Sequence, residues 1–84
     1  MTKHCKVYLD YFGYGEQSFV PCEICESRAV DIHHVKYKSR GGQDNIGNLM
    51  ALCRKHHTEA HNEILKEDEL REIHLKFMEL YGTR

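Results

Sequence analysis

The sequence predicts a small α+β domain, and three observations carry that expectation. An aromatic and β-branched run precedes a Gly-Tyr-Gly turn, cysteines and histidines gather around a strand-like centre, and apolar residues recur at helical spacing near the end. Residues 6–12 (KVYLDYF) and 17–20 (QSFV) flank Gly13-Tyr14-Gly15, which predicts an N-terminal β-hairpin. Pro21 stops the second strand and leads into Cys22-Glu23-Ile24-Cys25. Over residues 29–35 (AVDIHHV) the side chains alternate. Val30, Ile32 and His34 point one way, and Asp31, His33 and Val35 the other. Residues 38–48 are loop by composition, Leu49 to Leu52 read as a short apolar strand, and residues 54–63 suit a helix. From Leu65, the set Leu70, Ile73, Phe77, Leu80 and Tyr81 follows helical spacing and predicts a C-terminal helix over about 65–81, stopped by Gly82.

The chain has 84 residues, 40% apolar and 30% charged, which excludes a disordered composition. Neither a repeat nor a low-complexity linker divides it, so one domain over residues 1–84 is expected. It contains no run of 18 apolar residues and no apolar block behind a basic start, so the reading excludes a membrane span and a secretory signal and predicts a cytoplasmic protein. So small a domain leaves much of its surface wet, and a metal staple is a common remedy. Four Cys and seven His in a reducing compartment suggest metal ligands before disulfides. The net charge of −1 conceals a segregation: −2 over residues 1–32, +4 over 33–57 and −3 over 58–84. The basic middle, with Lys36, Lys38, Arg40, Arg54 and Lys55 against Asp44, is the landing place for a polyanion.

Two constellations carry chemistry. Cys22-x2-Cys25 and Cys53-x2-His56 are two tight knuckles that together close a tetrahedral zinc shell. With all four positions filled by protein, that zinc is structural. Cys5 and His4 are left over, and Cys5 reads as a small core residue. The second constellation is His33, His34, Asn48, His57 and His61. His57 and His61 are four apart and share a helix face, whereas His56 lies about 100° around the helix and can face a different metal. A Cys2His2 finger from Cys22, Cys25, His57 and His61 would need a middle gap of 31 residues, far from the usual spacing. Adjacent strand residues face opposite ways, so one of His33 and His34 can bind metal while the other addresses substrate.

Read together, Cys22-x2-Cys25, Asp31-x-His33-His34-Val35, Gly41-Gly42, Asn48-Leu49, Leu52-Cys53 and His56-His57-x3-His61 resemble the HNH endonuclease family, with its ββα-metal core. The resemblance covers about residues 20–61. It implies that His33, His57 and His61 hold a catalytic divalent cation, that His34 is the general base, and that Asn48 holds the loop and strand that orient that base. It also implies that Cys22, Cys25, Cys53 and His56 form the zinc shell of one branch of the family. This chain departs from the pattern in having His56 where that branch has Cys, and Tyr37, a loop difference expected to lie apart from the chemistry, where Pro is frequent. His33 replaces the Asp of many members, as in the colicin-nuclease variant. Three imidazoles favour softer ions than Mg²⁺, and the candidates are Mn²⁺, Ni²⁺, Mg²⁺ or Zn²⁺. Asp31 shares a strand face with His33 and is either an outer-shell partner for its second nitrogen or a plain surface carboxylate.

The resemblance implies hydrolysis of DNA phosphodiester bonds, with 5′-phosphate and 3′-hydroxyl ends as products. An unmetallated imidazole titrates at about 6.5 and can take a water proton near neutral pH. The basic residues 36, 38, 40, 54 and 55 are candidate phosphate contacts. One centre per chain implies nicking, the lack of a second domain implies low sequence specificity, and the expected state is a monomer or weak homodimer. The alternatives are a catalytically silent zinc-stapled module that binds nucleic acid, and a protein-interaction adaptor using the acidic terminal helix.

Overall fold

The computed structural model describes residues 2–15 and 18–82. Its elements run α1 (Lys3–Phe12), β1 (Asp31–His34), β2 (Leu49–Leu52), α2 (Arg54–His61) and α3 (Glu67–Tyr81). Strands β1 and β2 pair antiparallel, with Asp31 opposite Leu52, Ile32 opposite Ala51, His33 opposite Met50 and His34 opposite Leu49. The α+β class, the β–β–α centre and the C-terminal helix are as the sequence predicts.

The N-terminal β-hairpin is not formed. Lys3–Phe12 is helical, and residues 18–20 belong to no strand; Gln17 lies outside the described residues. The reason is period: Cys5, Tyr8, Leu9 and Phe12 recur at i, i+3, i+4 and i+7, the spacing of one helical face. Lys6 Nζ and Asp10 Oδ2 pair at 3.4 Å one turn apart. Tyr8 is fully buried against Ile32, Leu49 and Ala51, and that burial overrides the strand propensity of Val7, Tyr8 and Tyr11. Gly13, at φ 76°, ends the helix: its N–H bonds the Asp10 carbonyl, and the Tyr14 N–H bonds that of Leu9. The segment expected as the second strand instead closes the cysteine knuckle. There the Ala29 N–H donates to Val20 O at 2.8 Å and the Cys22 N–H to Ser27 O at 2.7 Å.

Strand β2 is buried on both faces. Met50 and Leu52 pack with Cys22, Val35, Ala60 and Leu70, while Leu49 and Ala51 pack under α1. Each large apolar side chain so buried contributes about 1.5–3 kcal/mol. The expected loop over 38–48 contains two short 3₁₀ turns, Lys38–Arg40 and Ile46–Asn48. Gly41 has φ 92°, and a Cβ on Gly42 would collide with the Lys36 carbonyl oxygen, so the tight return needs both glycines. Helix α2 stops at His61, two residues short of the expected end, because Glu63 adopts φ 59°. Glu69 Oε1 accepts the Lys66 N–H at 3.0 Å and starts α3.

One buried polar cluster ties these pieces together. The Glu23 carboxylate, inside the first knuckle, accepts the Tyr8 hydroxyl at 2.6 Å and His74 Nδ1–H at 2.8 Å. His74 Nε2–H donates to the Ile46 carbonyl, so α3, α1, the knuckle and the turn before β2 meet through the Glu23–His74 pair. Burial pushes the Glu23 carboxyl up, and the bond from His74 pulls it back down.

Candidate functional site

Cys22, Cys25, Cys53 and His56 converge from the knuckle after Pro21 and from the junction of β2 and α2, with their ligand atoms within 4.8 Å of one another. Cys25 Sγ and Cys53 Sγ are 3.7 Å apart, and Cys22 Sγ and His56 Nδ1 are 3.6 Å apart. A tetrahedral zinc with Zn–S near 2.3 Å has S–S edges of about 3.8 Å and S–N edges of about 3.6 Å, so the donors fit zinc. The four cysteines of the chain are free thiols, and 3.7 Å is far beyond a disulfide bond. The Ile24 N–H points at Cys22 Sγ at 3.4 Å. The Ser27 hydroxyl and N–H hold the Cys25 thiol down to about 6, which favours the thiolate a metal requires. Burial pushes the Cys22 thiol up.

His33, His57 and His61 form a second cluster, also within 4.8 Å. His33 comes from β1, and α2 contributes the other two from successive turns, with their Nε2 atoms 3.1 Å apart. Two imidazoles on one ion sit about 3.0–3.4 Å apart at metal–nitrogen bonds near 2.1 Å, so this spacing suits a shared divalent cation. The three rings meet edge to face, at interplanar angles of 77°, 81° and 75°. His33 is 4% exposed, and burial followed by the neighbouring His57, His61 and His34 holds it down to about 4. It is therefore neutral at pH 7, the form that ligates. Burial also lowers His57.

Asp31 does not hydrogen-bond the second nitrogen of His33. Its Oδ2 lies 3.5 Å from His57 Nε2, and its Oδ1 accepts the Ile32 N–H. Helix α2 begins two residues after Leu52, the pairing partner of Asp31, and brings His57 to the carboxylate. Because His57 Nε2 also faces His61, Asp31 lies beside the His57–His61 donor pair. Tyr37, expected to lie apart from the chemistry, stacks on His61 at 5.9 Å and 16° and meets His33 edge-on at 5.8 Å.

His34 turns to the opposite face of β1. Its Nε2 is 2.7 Å from Asp44 Oδ1, and its ring packs on His4 of α1 with centroids 4.6 Å apart. Asp44 Oδ2 also takes Lys38 Nζ at 3.2 Å, and the bonds from His34 and Lys38 lower the Asp44 carboxyl. Asn48 is 5% exposed and fully engaged. It accepts the Lys36 N–H at 2.8 Å and donates to the carbonyls of Lys36 and Gln43 at 3.0 Å each. Its side chain clamps the loop directly after His34 without bonding the His34 ring.

Lys36, Lys38, Arg40, Arg54 and Lys55 are all exposed. Arg40 joins His33, Tyr37 and His61 in lining a recess of about 310 Å³, together with Lys66 and the acidic Glu63, Glu67 and Asp68. Asp44, His4 and Tyr37 are the neighbours of the site that sequence reasoning left without a place there. For Asp44 a signal existed, since it is the sole acid among five cations over residues 33–57.

A family model described as HNH endonuclease matches residues 22–63, half of the chain, from the first knuckle cysteine past the last of the clustered histidines. Neither a curated protein nor a solved structure matches the chain.

Proposed function

This chain belongs to the HNH endonuclease family, and from that premise we propose that it is a metal-dependent endonuclease hydrolysing phosphodiester bonds in DNA. The observation that carries the reading is the opposition of His33 and His34 on β1. His33 joins His57 and His61 on one face, and His34 stands on the other face apart from that cluster. In this reading Cys22, Cys25, Cys53 and His56 hold a structural zinc that fixes the start of α2 against the strands. His33, His57 and His61 would hold a divalent cation, which would supply Lewis-acid stabilisation of the phosphoryl oxygens and the leaving 3′-oxygen.

The remaining steps belong to side chains. Asp44 accepts the Nε2–H of His34, which leaves the lone pair on Nδ1. His34 Nδ1 then takes a proton from the attacking water as general base. Asn48 holds the Lys36–Gln43 backbone, and with it the loop that carries Asp44, so the orientation of His34 depends on that clamp. Asp31, with Oδ2 3.5 Å from His57 Nε2, would help orient that imidazole. Lys36, Lys38 and Arg40, from the loop after β1, and Arg54 and Lys55, from the start of α2, are all exposed and would meet the phosphates. One centre per chain gives nicking, with little sequence preference.

The test is supercoiled plasmid incubated with the protein in Mn²⁺, in Mg²⁺ and in EDTA. Metal-dependent conversion to the nicked circle is expected. A mobility shift without nicking in either metal would overturn the reading in favour of a silent nucleic-acid-binding module.

A further inference from the structure

We propose that His4, His34 and Asp44 form a third metal site, one that takes Zn²⁺ and silences His34. Its three ligand atoms lie within 4.8 Å of one another. They come from separate segments: the first turn of α1, the end of β1 and the loop before β2. The inhibitory consequence rests on His34 acting as the base, whereas the binding itself does not.

The donors suit zinc. Two imidazoles and one carboxylate make a three-ligand set with a fourth position left for water, a frequent composition for Zn²⁺ and a poor one for Mg²⁺. The site is also largely assembled beforehand. The side chains of His34 and Asp44 are 14% and 10% exposed, and the two already touch at 2.7 Å. An edge of a tetrahedral zinc site with N and O donors is about 3.3 Å, so side-chain rotation opens this contact slightly and draws His4 inward. The single ring proton of His34 stays on the imidazole, at Nε2 when the ion takes Nδ1 and moved to Nδ1 when the ion takes Nε2. Lys38 Nζ, the one cation on Asp44 among the described residues, is 61% exposed on its side chain and can swing away.

Neither other cluster shares a donor with this one. The ion acts on catalysis whichever nitrogen of His34 it takes. Bound at Nδ1, it occupies the lone pair that receives the water proton. Bound at Nε2, it displaces the Asp44 bond and leaves the proton on Nδ1. Both arrangements remove the base.

The experiment compares the parent protein with His4→Ala, a residue outside the catalytic machinery. Each is titrated with Zn²⁺ and freed of loose metal, and bound zinc is counted by elemental analysis. The parent is expected to hold one zinc more than His4→Ala. In Mn²⁺-supported plasmid nicking, with each protein referred to its own zinc-free rate, His4→Ala should need at least about tenfold more Zn²⁺ for half-inhibition. Circular dichroism checks folding, and Asp44→Asn repeats the zinc count if His4→Ala does not fold. Equal zinc counts would overturn the site. Equal zinc inhibition in both proteins would overturn the silencing and place the inhibitory ion on His33, His57 and His61. If no protein nicks in any metal, the endonuclease reading fails, and the difference in zinc count still decides the site.

Discussion

Replacing Asn48 by alanine removes one side chain that makes three hydrogen bonds while only 5% exposed. The Lys36 N–H, the Lys36 carbonyl and the Gln43 carbonyl each lose their side-chain partner. At about 1 kcal/mol net per bond the loss sums to about 3 kcal/mol. Lys36 and Gln43 are exposed, so water re-solvates part of what is freed, and about 2–3 kcal/mol remains. A small domain is stable by about 5–15 kcal/mol in all, so this is a large share. The assay is urea unfolding of the zinc-loaded protein followed by circular dichroism, with zinc content measured in parallel. Zinc should stay bound, because none of the three bonds touches Cys22, Cys25, Cys53 or His56. Nicking should fall as well, since the freed loop carries Asp44 away from His34. A stability loss below about 0.5 kcal/mol would show that Asn48 does not clamp the loop, and loss of zinc would show that the loop and the zinc shell are one unit.

The two clusters should separate under mutation. Cys53→Ser takes a thiolate from the shell whose metal supplies folding free energy, on the order of 10 kcal/mol in small fingers, so zinc and fold should be lost together by elemental analysis and circular dichroism. His34→Ala should keep zinc and fold while nicking drops by about 10²–10⁴-fold, and loss of zinc there would place His34 in the structural shell. His57→Ala should be folded and zinc-replete but inactive, with a weakened second metal site in a Mn²⁺ titration. The depressed value of about 4 at His33 also predicts a pH dependence. The unfolded chain takes up a proton near 6.5 that the folded chain refuses until about 4, so stability should decline as pH falls through that window. The decline is at most about 3 kcal/mol, and it should flatten in His33→Gln when both proteins are unfolded with urea from pH 7 to 4 without the second metal.

The sequence by itself determined what depends on short-range spacing. Cys22-x2-Cys25 and Cys53-x2-His56 are knuckles because two intervening residues hold two donors together, and the structure joins them into one cluster. His33 and His34 oppose each other because side chains alternate along a strand, and His57 and His61 share a face because a helix turns in 3.6 residues. Tertiary structure decided what those periods leave open. Residues 3–12 carry both strand propensity and a helical period, and the burial of Tyr8 on β2 selects the helix. Asp31 lies beside His57, Tyr37 stacks on His61, and His4 and Asp44 close on His34, although each pair is distant in sequence or joined by an irregular loop. No periodicity relates such residues. They meet because α1, α2 and the Asn48-clamped loop pack onto the two strands, and that packing is a property of the whole chain.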